Sequence, residues 1–394
     1  MATDNKPQTN RIGGVMLFLA TALAAFPVWA EYSWNFPTPV TPMALDTLHV
    51  HNKFMLISII IFFVVLLIML YSIFTHRKSR GQQPANFTGP STKAQVFWTL
   101  VPFVILLYID FVLMGIPAYH SVVMMEDTKT DAAMVIKVTG SQWKWQYEYP
   151  EEGIKFISTL ATPDDQIYSS ASKGENYLLE VDKRLVLPVN KKIRILLTST
   201  DVIHTWWVPQ FGVKRDGIPG FLRETWATIE KPGVYRGQCA ELCGKGHGFM
   251  PVVVEAVSEH EFKEWVAEQK TQMVAAASGA DKVWSKEKLI EEGAEVYAKN
   301  CAMCHQAKGE GIPGAFPALA GSKMVNAAML DKDGKLVKDG HLDRVMNGKA
   351  NTAMQAFKNT LSDTEIAAVV TFERNSFGNK MGDAVQPAQV KALR

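Results

Sequence analysis

Residues 237–250 have the sequence GQCAELCGKGHGFM, the most informative stretch of the chain. It places two thiols, an imidazole and a thioether within twelve residues, at Cys239, Cys243, His247 and Met250. Sulfur and imidazole together favour copper or zinc over hard cations. The alternative is a disulfide between Cys239 and Cys243 beside an incidental histidine and methionine. Four soft donors in so short a loop favour the metal site.

The chain around this loop consists of short β-branched and aromatic segments. They lie at residues 134–138, 143–149, 177–181, 193–199, 225–229 and 252–257, and Gly, Pro and Asp separate them. This pattern predicts an antiparallel sandwich or barrel. His204 lies just past a predicted strand, where a barrel loop would begin, and is a further candidate ligand. Taken alone, a histidine there is more often a buried, hydrogen-bonded residue.

Two apolar runs, residues 54–74 and 94–116, are each long enough to cross a hydrocarbon core of about 30 Å. The loop between them carries basic residues and no Asp or Glu, so we expect it on the cytoplasmic side. The chain from about residue 118 onward then lies on the outer face of the membrane, which excludes a cytoplasmic enzyme. Asp110 within the second run should face a protein partner or water, unless it snorkels.

Residues 1–30 have the pattern of a signal peptide. Lys6 and Arg11 precede an apolar stretch that ends in small residues, with cleavage predicted after Ala30. The alternative is an uncleaved membrane anchor, which Pro27 and two glycines disfavour.

Residues 301–305, CAMCH, match the Cys-x-x-Cys-His motif that attaches c-type haem through Cys301 and Cys304 and supplies His305 as an axial ligand. A redox dithiol or a chance match is the alternative. The context favours haem, because the motif follows a predicted helix in an exported unit of about 95 residues, which resembles a class I cytochrome c.

The sixth haem ligand should be a downstream methionine, because thioether ligation raises the haem potential into the range of a donor to copper. Met354 lies in a loop before the predicted last helix, residues 362–375, as it does in that family. Met346 is the second candidate, but its segment resembles a helix end packed on the core.

The copper loop, the upstream His204 and the QWKWQYEY segment at 142–149 together resemble subunit II of the haem–copper cytochrome c oxidases. The two predicted membrane helices agree, so the resemblance covers roughly residues 45–258. It implies a cupredoxin-like Greek-key barrel that holds a dinuclear CuA centre. The implied ligands are Cys239 and Cys243 bridging both coppers, His204 and Met250 on one copper, and His247 and the backbone carbonyl of Glu241 on the other.

The resemblance implies further roles. The side chain of Glu241 contributes to a magnesium site shared with subunit I, and Trp143 is the aromatic residue through which electrons enter; the alternative for Trp143 is a barrel-surface aromatic.

One position departs from the pattern. Many members have a glutamate three residues before the tryptophan that opens the second helix, where it admits protons. Here Gln95 precedes Trp98, which puts proton entry at this point in doubt.

The sequence thus predicts a multidomain membrane protein with a two-helix transmembrane hairpin, an all-β barrel and an all-α class I cytochrome c domain. The expected boundaries are signal peptide 1–30, N-terminal segment and transmembrane helices 31–118, cupredoxin domain 119–258, linker 259–285, cytochrome c domain 286–380 and tail 381–394.

The resemblance implies subunit II of a haem-c-fused, caa3-type oxidase in a bacterial inner membrane. The chain would take electrons from a donor cytochrome or an upstream respiratory complex and pass them through haem c and CuA to subunit I, which reduces O2 with proton translocation; subunit III is a further expected partner. A net charge of +2 without a long basic block gives no reason to expect nucleic acid.

Two other function classes are weaker. A nitrous oxide reductase-like enzyme needs a histidine-rich copper domain, which nine scattered histidines do not provide. A membrane-tethered copper carrier would not need an attached haem or a tryptophan-rich strand.

Overall fold

The structure is a computed structural model, and it describes residues 35–81, 89, 91–279, 281–350, 352–358 and 360–394. The predicted signal peptide, residues 1–30, lies outside the described residues. Two apolar helices come first, followed by a β domain and then a helical domain.

The two apolar helices are long enough to cross a membrane by length and composition. Helix α1 spans Pro42–Thr75 and begins twelve residues before the predicted apolar run. Helix α2 spans Thr92–Leu107 and continues through a π-helical segment, Tyr108–Gly115, into α3, Ile116–Glu126. Their apolar side chains are largely exposed in this single chain, as expected for a lipid-facing or partner-facing surface.

The π-helical segment contains Asp110 and ends just before Pro117. A proline ring clashes with the carbonyl one turn before it in a regular helix, and a wider turn relieves that clash. The same segment also requires a glycine, because a Cβ at Gly115 would lie 2.0 Å from the carbonyl oxygen of Asp110. Asp110 therefore lies where the second helix is irregular, and its predicted contact with a partner stays a prediction.

In the described part of the chain, ten strands, numbered β1 to β10 in chain order with the ranges given next, form two five-stranded sheets with the orders β3-β2-β1-β5-β8 and β4-β10-β9-β6-β7. The strands of the first sheet are β1 Met134–Ser141, β2 Lys144–Tyr149, β3 Ile154–Ser158, β5 Lys192–Ser199 and β8 Arg223–Thr228. Those of the second are β4 Leu185–Pro188, β6 His204–Val208, β7 Val213–Gly217, β9 Gly233–Cys239 and β10 Pro251–Val257. The predicted cupredoxin-like fold is confirmed.

Most strand pairs are antiparallel, but β1 pairs with β5 and β4 with β10 in parallel. The purely antiparallel expectation is wrong at these two pairs. Each joins strands that are distant in sequence, and a crossover between the sheets brings the later strand back in the same direction. Both sheets bury alternate side chains in one core, with Ile136 and Trp145 from the first and Trp206 and Val252 from the second.

Residues 177–181 were expected to form a strand and do not. Leu178 has a φ of 61°, in the left-handed region, which interrupts an extended backbone. Strands β3, β4, β6, β7 and β9 lie outside the predicted segments; four of them have only four or five residues, too few to show a clear alternation.

Helix α4 is a short helix, Asp164–Tyr168, within the β domain. Helix α5, Glu259–Gly279, occupies most of the predicted linker. Its first turns pack on the barrel, because Phe262 and Val266 are buried in the barrel core. The Trp265 ring lies 5.1 Å from that of Tyr149, centroid to centroid. The first half of the predicted linker is therefore fixed to the β domain.

The helical domain contains α6 Lys286–Asn300, α7 Ala302–His305, α8 His341–Asn347, α9 Asp363–Asn375 and α10 Pro387–Ala392. Helix α9 corresponds to the helix predicted at residues 362–375. Ser362 is its N-cap, and Glu365 completes a capping box. Helices α6 and α9 pack closely at Gly293, where a Cβ would lie 2.1 Å from the carbonyl oxygen of Ala368. The segment expected to be a tail, residues 381–394, contains α10 and buries Val390 in the same core.

Candidate copper and haem sites

The copper loop joins two adjacent antiparallel strands. Strand β9 ends at Cys239, and β10 begins one residue after Met250. Strand β6 starts at His204 and lies beside β9, so the amide of Ala240 donates to the carbonyl of Thr205 at 3.1 Å. The sheet thereby brings an imidazole from 35 positions upstream to the first cysteine of the loop.

All the predicted copper donors lie together. The Sγ atom of Cys243 is 3.9 Å from the Sγ of Cys239, 3.6 Å from Nδ1 of His247 and 3.6 Å from Sδ of Met250. The backbone carbonyl of Glu241 lies 3.4 Å from Sγ of Cys239. A disulfide needs an S–S distance of about 2.05 Å, so the two sulfurs are not bonded. The arrangement is a compact set of soft donors.

His204 presents an unused nitrogen to this set. Its ligand atom and the two thiol sulfurs lie within 4.8 Å of one another. Nε2 bonds Asp201 at 2.8 Å, while the buried Nδ1 has no hydrogen-bond partner among the described residues. Because a metal-binding histidine is oriented by a carboxylate on its other nitrogen, this geometry fits a ligand rather than a structural histidine.

The charges around the loop favour a bound cation. The hydrogen bond between the Cys243 and Cys239 thiols outweighs burial and, with help from His204, holds the pKa of Cys239 well below its usual value. Burial acts to raise the pKa of Asp201, but bonds from His204 and the Gln142 amide hold it below its usual value. A thiolate and a carboxylate thus stand at the site at neutral pH. The residues fit a copper centre.

Trp143 lies against the copper loop and is only 6% exposed. Its Nε1 donates to the carbonyl of Cys243 at 3.1 Å. The ring covers the backbone at Gly246, where a Cβ would lie 2.4 Å from it. The other side of Trp143 meets Phe316 of the helical domain, with ring centroids 6.2 Å apart. Trp143 is therefore not an exposed surface aromatic in this chain, because the helical domain covers it.

A cavity of about 600 Å³ lies in the helical domain at this contact. All four predicted haem residues line it: Cys301, Cys304, His305 and Met354. Its remaining wall is largely apolar and includes Phe316, Leu319, Val345, Phe357 and Val369. An apolar cavity with two thiols, an imidazole and a thioether in its wall fits haem c.

His305 is held in one orientation. Its Nδ1 donates to the carbonyl of Pro317 at 2.8 Å, which leaves Nε2 to bind iron. Met346 is fully buried in the helical core and is not part of the cavity wall. Met324 does line the cavity, and sequence reasoning missed it because no motif marks it.

Two more features of the cavity were not predicted. Lys144, from strand β2 of the barrel, lines it together with the haem cysteines. His341 and Glu373 form a buried pair in its wall, with Nε2 and Oε2 2.6 Å apart. These partners lie far apart in sequence, so no local pattern could have revealed them.

Some predicted residues lie apart from both sites. The side chain of Glu241 is exposed, and the described residues near it form no acidic cluster for a second metal. Gln95 lies in the first turn of α2 and Asp110 in the π-helical segment. The magnesium and proton-entry predictions are not tested by this geometry.

Three family models match the chain. Residues 27–116 match the transmembrane domain, and residues 134–257 the periplasmic domain, of cytochrome c oxidase subunit II. Residues 288–372 match subunit III of the cbb3-type cytochrome c oxidase. The periplasmic domain implies copper, and the cytochrome c domain implies haem c.

Similar proteins agree with these matches. The chain is 37% identical over 281 residues to cytochrome c oxidase subunit 2 of Cereibacter sphaeroides, covering 66% of this chain and 89% of that protein. It is 36% identical over 260 residues to the mitochondrial subunit 2 of Vigna unguiculata, covering 64% of this chain and 65% of that protein. A crystal structure of the periplasmic domain of subunit II from Bradyrhizobium japonicum is 45% identical, with a TM-score of 0.32, and covers 36% of this chain and 96% of that one. This chain therefore belongs to the cytochrome c oxidase subunit II family and carries a cytochrome c domain after its periplasmic domain.

Proposed function

We propose that this chain is the electron-input subunit of a caa3-type cytochrome c oxidase. Cys301, Cys304, His305 and Met354 would hold haem c, and the copper loop with His204 would hold the dinuclear CuA centre. When bound, these two groups supply reversible one-electron oxidation and reduction. The chain carries electrons from an outside donor to subunit I, where O2 is reduced with proton translocation.

The observation that carries this proposal is the position of Trp143. Its indole N–H donates to the carbonyl of the copper-loop residue Cys243, and its ring packs on Phe316 in the wall of the haem cavity. One side chain thus contacts the surroundings of both sites. A packed aromatic contact of this kind supports Trp143 as the point where electrons enter the copper loop.

The barrel supports electron transfer by holding its donors still. Cys239, Cys243 and Met250 are each no more than 3% exposed and lie in one buried core with the two sheets. A close-packed interior resists displacement of these atoms, so little rearrangement accompanies a change of charge. This rigidity favours a site for moving electrons over a site that binds and releases metal, as a copper carrier needs.

Apolar side chains on the copper-end loops support contact with subunit I. Leu242 in the copper loop is 79% exposed, and Ile203, just before His204, is also exposed. Exposed apolar residues grouped around a functional loop are typical of a protein interface. We further propose that Glu241 shares a magnesium ion with subunit I there, that subunit III joins the complex, and that the chain lies in a bacterial inner membrane with its carboxyl-terminal domains in the periplasm.

Purification of the oxidase from its native membrane tests the proposal. We expect two coppers and one covalently bound haem for each copy of this chain, with subunit I present in the same complex. Metal analysis that found zinc or a single copper would contradict the dinuclear site. A chain without covalent haem would contradict the caa3-type assignment. The donor, a cytochrome or an upstream respiratory complex, is identified by which one reduces the haem in a reconstituted assay.

A further inference from the structure

Lys144 extends from the barrel into the mouth of the haem cavity. It is the first residue of β2, directly after Trp143, and is only 5% exposed. It lines the cavity with Cys301 and Cys304. A lysine buried in a neighbouring domain's cavity is unusual, because removing its charge from water is costly unless something compensates.

The compensation comes from both domains. The Lys144 ammonium lies 4.5 Å from the centre of the Phe357 ring, a favourable cation–π distance. Burial lowers the pKa of Lys144 to about 8, and the Asp201 carboxylate of the barrel opposes this shift. The ammonium is therefore mostly charged at pH 7 and sits beside the two cysteines that attach the haem.

The turn that carries Lys144 is also tied to the copper loop. The Gln142 side-chain amide donates to the carbonyl of Cys243 at 2.8 Å, and its backbone amide donates to Asp201 at 2.7 Å. The three consecutive residues 142–144 thus contact the copper loop at one end and the haem cavity at the other. A displacement of the helical domain would pull a charged group out of its cavity.

We propose that Lys144 is a positioning residue that holds the helical domain against the copper loop and raises the reduction potential of the haem at its thioether edge. This inference rests on the proposed function, since it requires haem c in the cavity. The sign follows from Coulomb's law: reduction lowers the positive charge on iron, so a nearby buried cation favours the reduced state. Its contact with Phe357 favours the docked arrangement over the separated one.

The first test is lysine footprinting of the intact, haem-loaded chain with an amine-acylating reagent. Lys137, on the neighbouring strand β1, is the matched control, because its side chain is 36% exposed and pairs only loosely with Glu148 at 3.3 Å. We expect Lys144 to react at least about tenfold more slowly than Lys137, because a buried amine reacts only during local opening. Equal reactivity of the two lysines would overturn the proposal.

The second test compares Lys144→Met, Lys144→Arg and Lys137→Met by redox titration of the haem band. Lys144→Met should lower the haem potential. It should also increase hydrogen exchange at residues 142–146, because the ratio of chains with the helical domain docked on the copper loop to chains with it undocked should fall about fivefold. Lys144→Arg should retain most of both properties, and Lys137→Met should match the wild type. An unchanged potential in Lys144→Met would overturn the electrostatic role, whereas a native chain that lacks covalent haem would overturn the proposed function itself.

Discussion

The copper loop and the haem cavity bring their predicted ligands together in different ways. In the loop, the Cys243 sulfur lies within 3.9 Å of three other donor atoms, all drawn from twelve residues. In the helical domain, His305 and Met354 lie 49 positions apart on the wall of a cavity of about 600 Å³. The copper donors already touch, whereas the haem donors face a space that a large group must fill.

The difference follows from how each domain is built. Strands β9 and β10 are hydrogen-bonded up to the loop, and the amide of Cys239 donates to the carbonyl of Met250 at 3.3 Å. The sheet therefore sets the spacing of the copper donors without the metal. The helices around the haem cavity surround a gap instead, and haem would supply the missing core. We therefore expect the loss of one copper ligand to abolish the copper centre. The loss of one haem ligand should instead weaken haem attachment or change the haem potential.

The largest expected effect is at Cys243, whose sulfur lies within 3.9 Å of three other donor atoms of the loop. Cys243→Ser should abolish the dinuclear copper centre and its mixed-valence absorption, and should leave the covalent haem in place. Metal analysis and visible spectra measure both outcomes. Cys304→Ser is the reciprocal control, since it should weaken haem attachment and leave two coppers. Retention of two coppers in Cys243→Ser would show that the loop does not depend on this sulfur.

Truncation after Ala280 removes the haem cavity and tests the two regions separately. The remaining chain keeps α5, whose Phe262 and Val266 are buried on the barrel, so the copper loop should be intact. Turnover with the physiological donor should fall steeply, because a tethered domain acts at an effective concentration in the ~mM range. Small artificial donors should still be oxidised. If the truncated oxidase turns over the physiological donor at the full rate, the helical domain is not an obligatory step.

A smaller effect is expected from the sixth haem ligand. Met354→Ala should leave the haem attached through its two cysteines but lower its reduction potential, because the axial thioether is lost. Met324→Leu, in the same cavity wall, and Met346→Ala, in the core, should change the potential much less. Redox titration measures all three variants. If Met324→Leu or Met346→Ala loses the spectral signature of axial methionine ligation while Met354→Ala keeps it, the sixth ligand is the substituted methionine and not Met354.

The smallest effect is expected in the scaffold away from both sites. The carboxylate of Glu224 bonds Arg194 at 3.0 and 2.6 Å and Thr128 at 2.6 Å, and these bonds lower its pKa to about 2. Glu224→Gln should cost roughly 0.5–1 kcal/mol of stability at about pH 7, a usual value for a well-aligned, partly exposed pair.

The pH dependence of this effect has a defined sign. A lowered pKa means that the Glu224 carboxylate stabilises the fold above its ordinary pKa of 4.5, and this contribution is lost as the pH falls towards 2. The difference in thermal unfolding between wild type and variant should therefore shrink between about pH 7 and pH 3. Glu255→Gln, which loses only a 3.4 Å contact with Arg184, is the control. A difference that grows on acidification would contradict the assignment.

Local patterns were enough to select the candidate site residues, whereas contacts between distant parts of the chain were missed. The copper loop and the haem-attachment motif each lie within a few residues, so spacing alone identified Cys239, Cys243, Cys301 and Cys304. The capped helix α9 was likewise predicted, since its capping box is local. The contact of Lys144 with Phe357 joins two domains more than 200 positions apart, and no period or motif encodes such a pairing.

The placement of Trp143 beneath the helical domain has a kinetic consequence. Under the proposed function, because the chain's own domain covers that side chain, delivery of electrons to the copper loop would be a first-order event, independent of the abundance of any soluble carrier. Buried contacts are also screened little by dissolved ions, so this internal step should be nearly insensitive to ionic strength. Salt should act only on the outer encounter between the helical domain and its donor. Under the proposed function, the donor could therefore change in evolution without any change in the residues through which electrons reach copper.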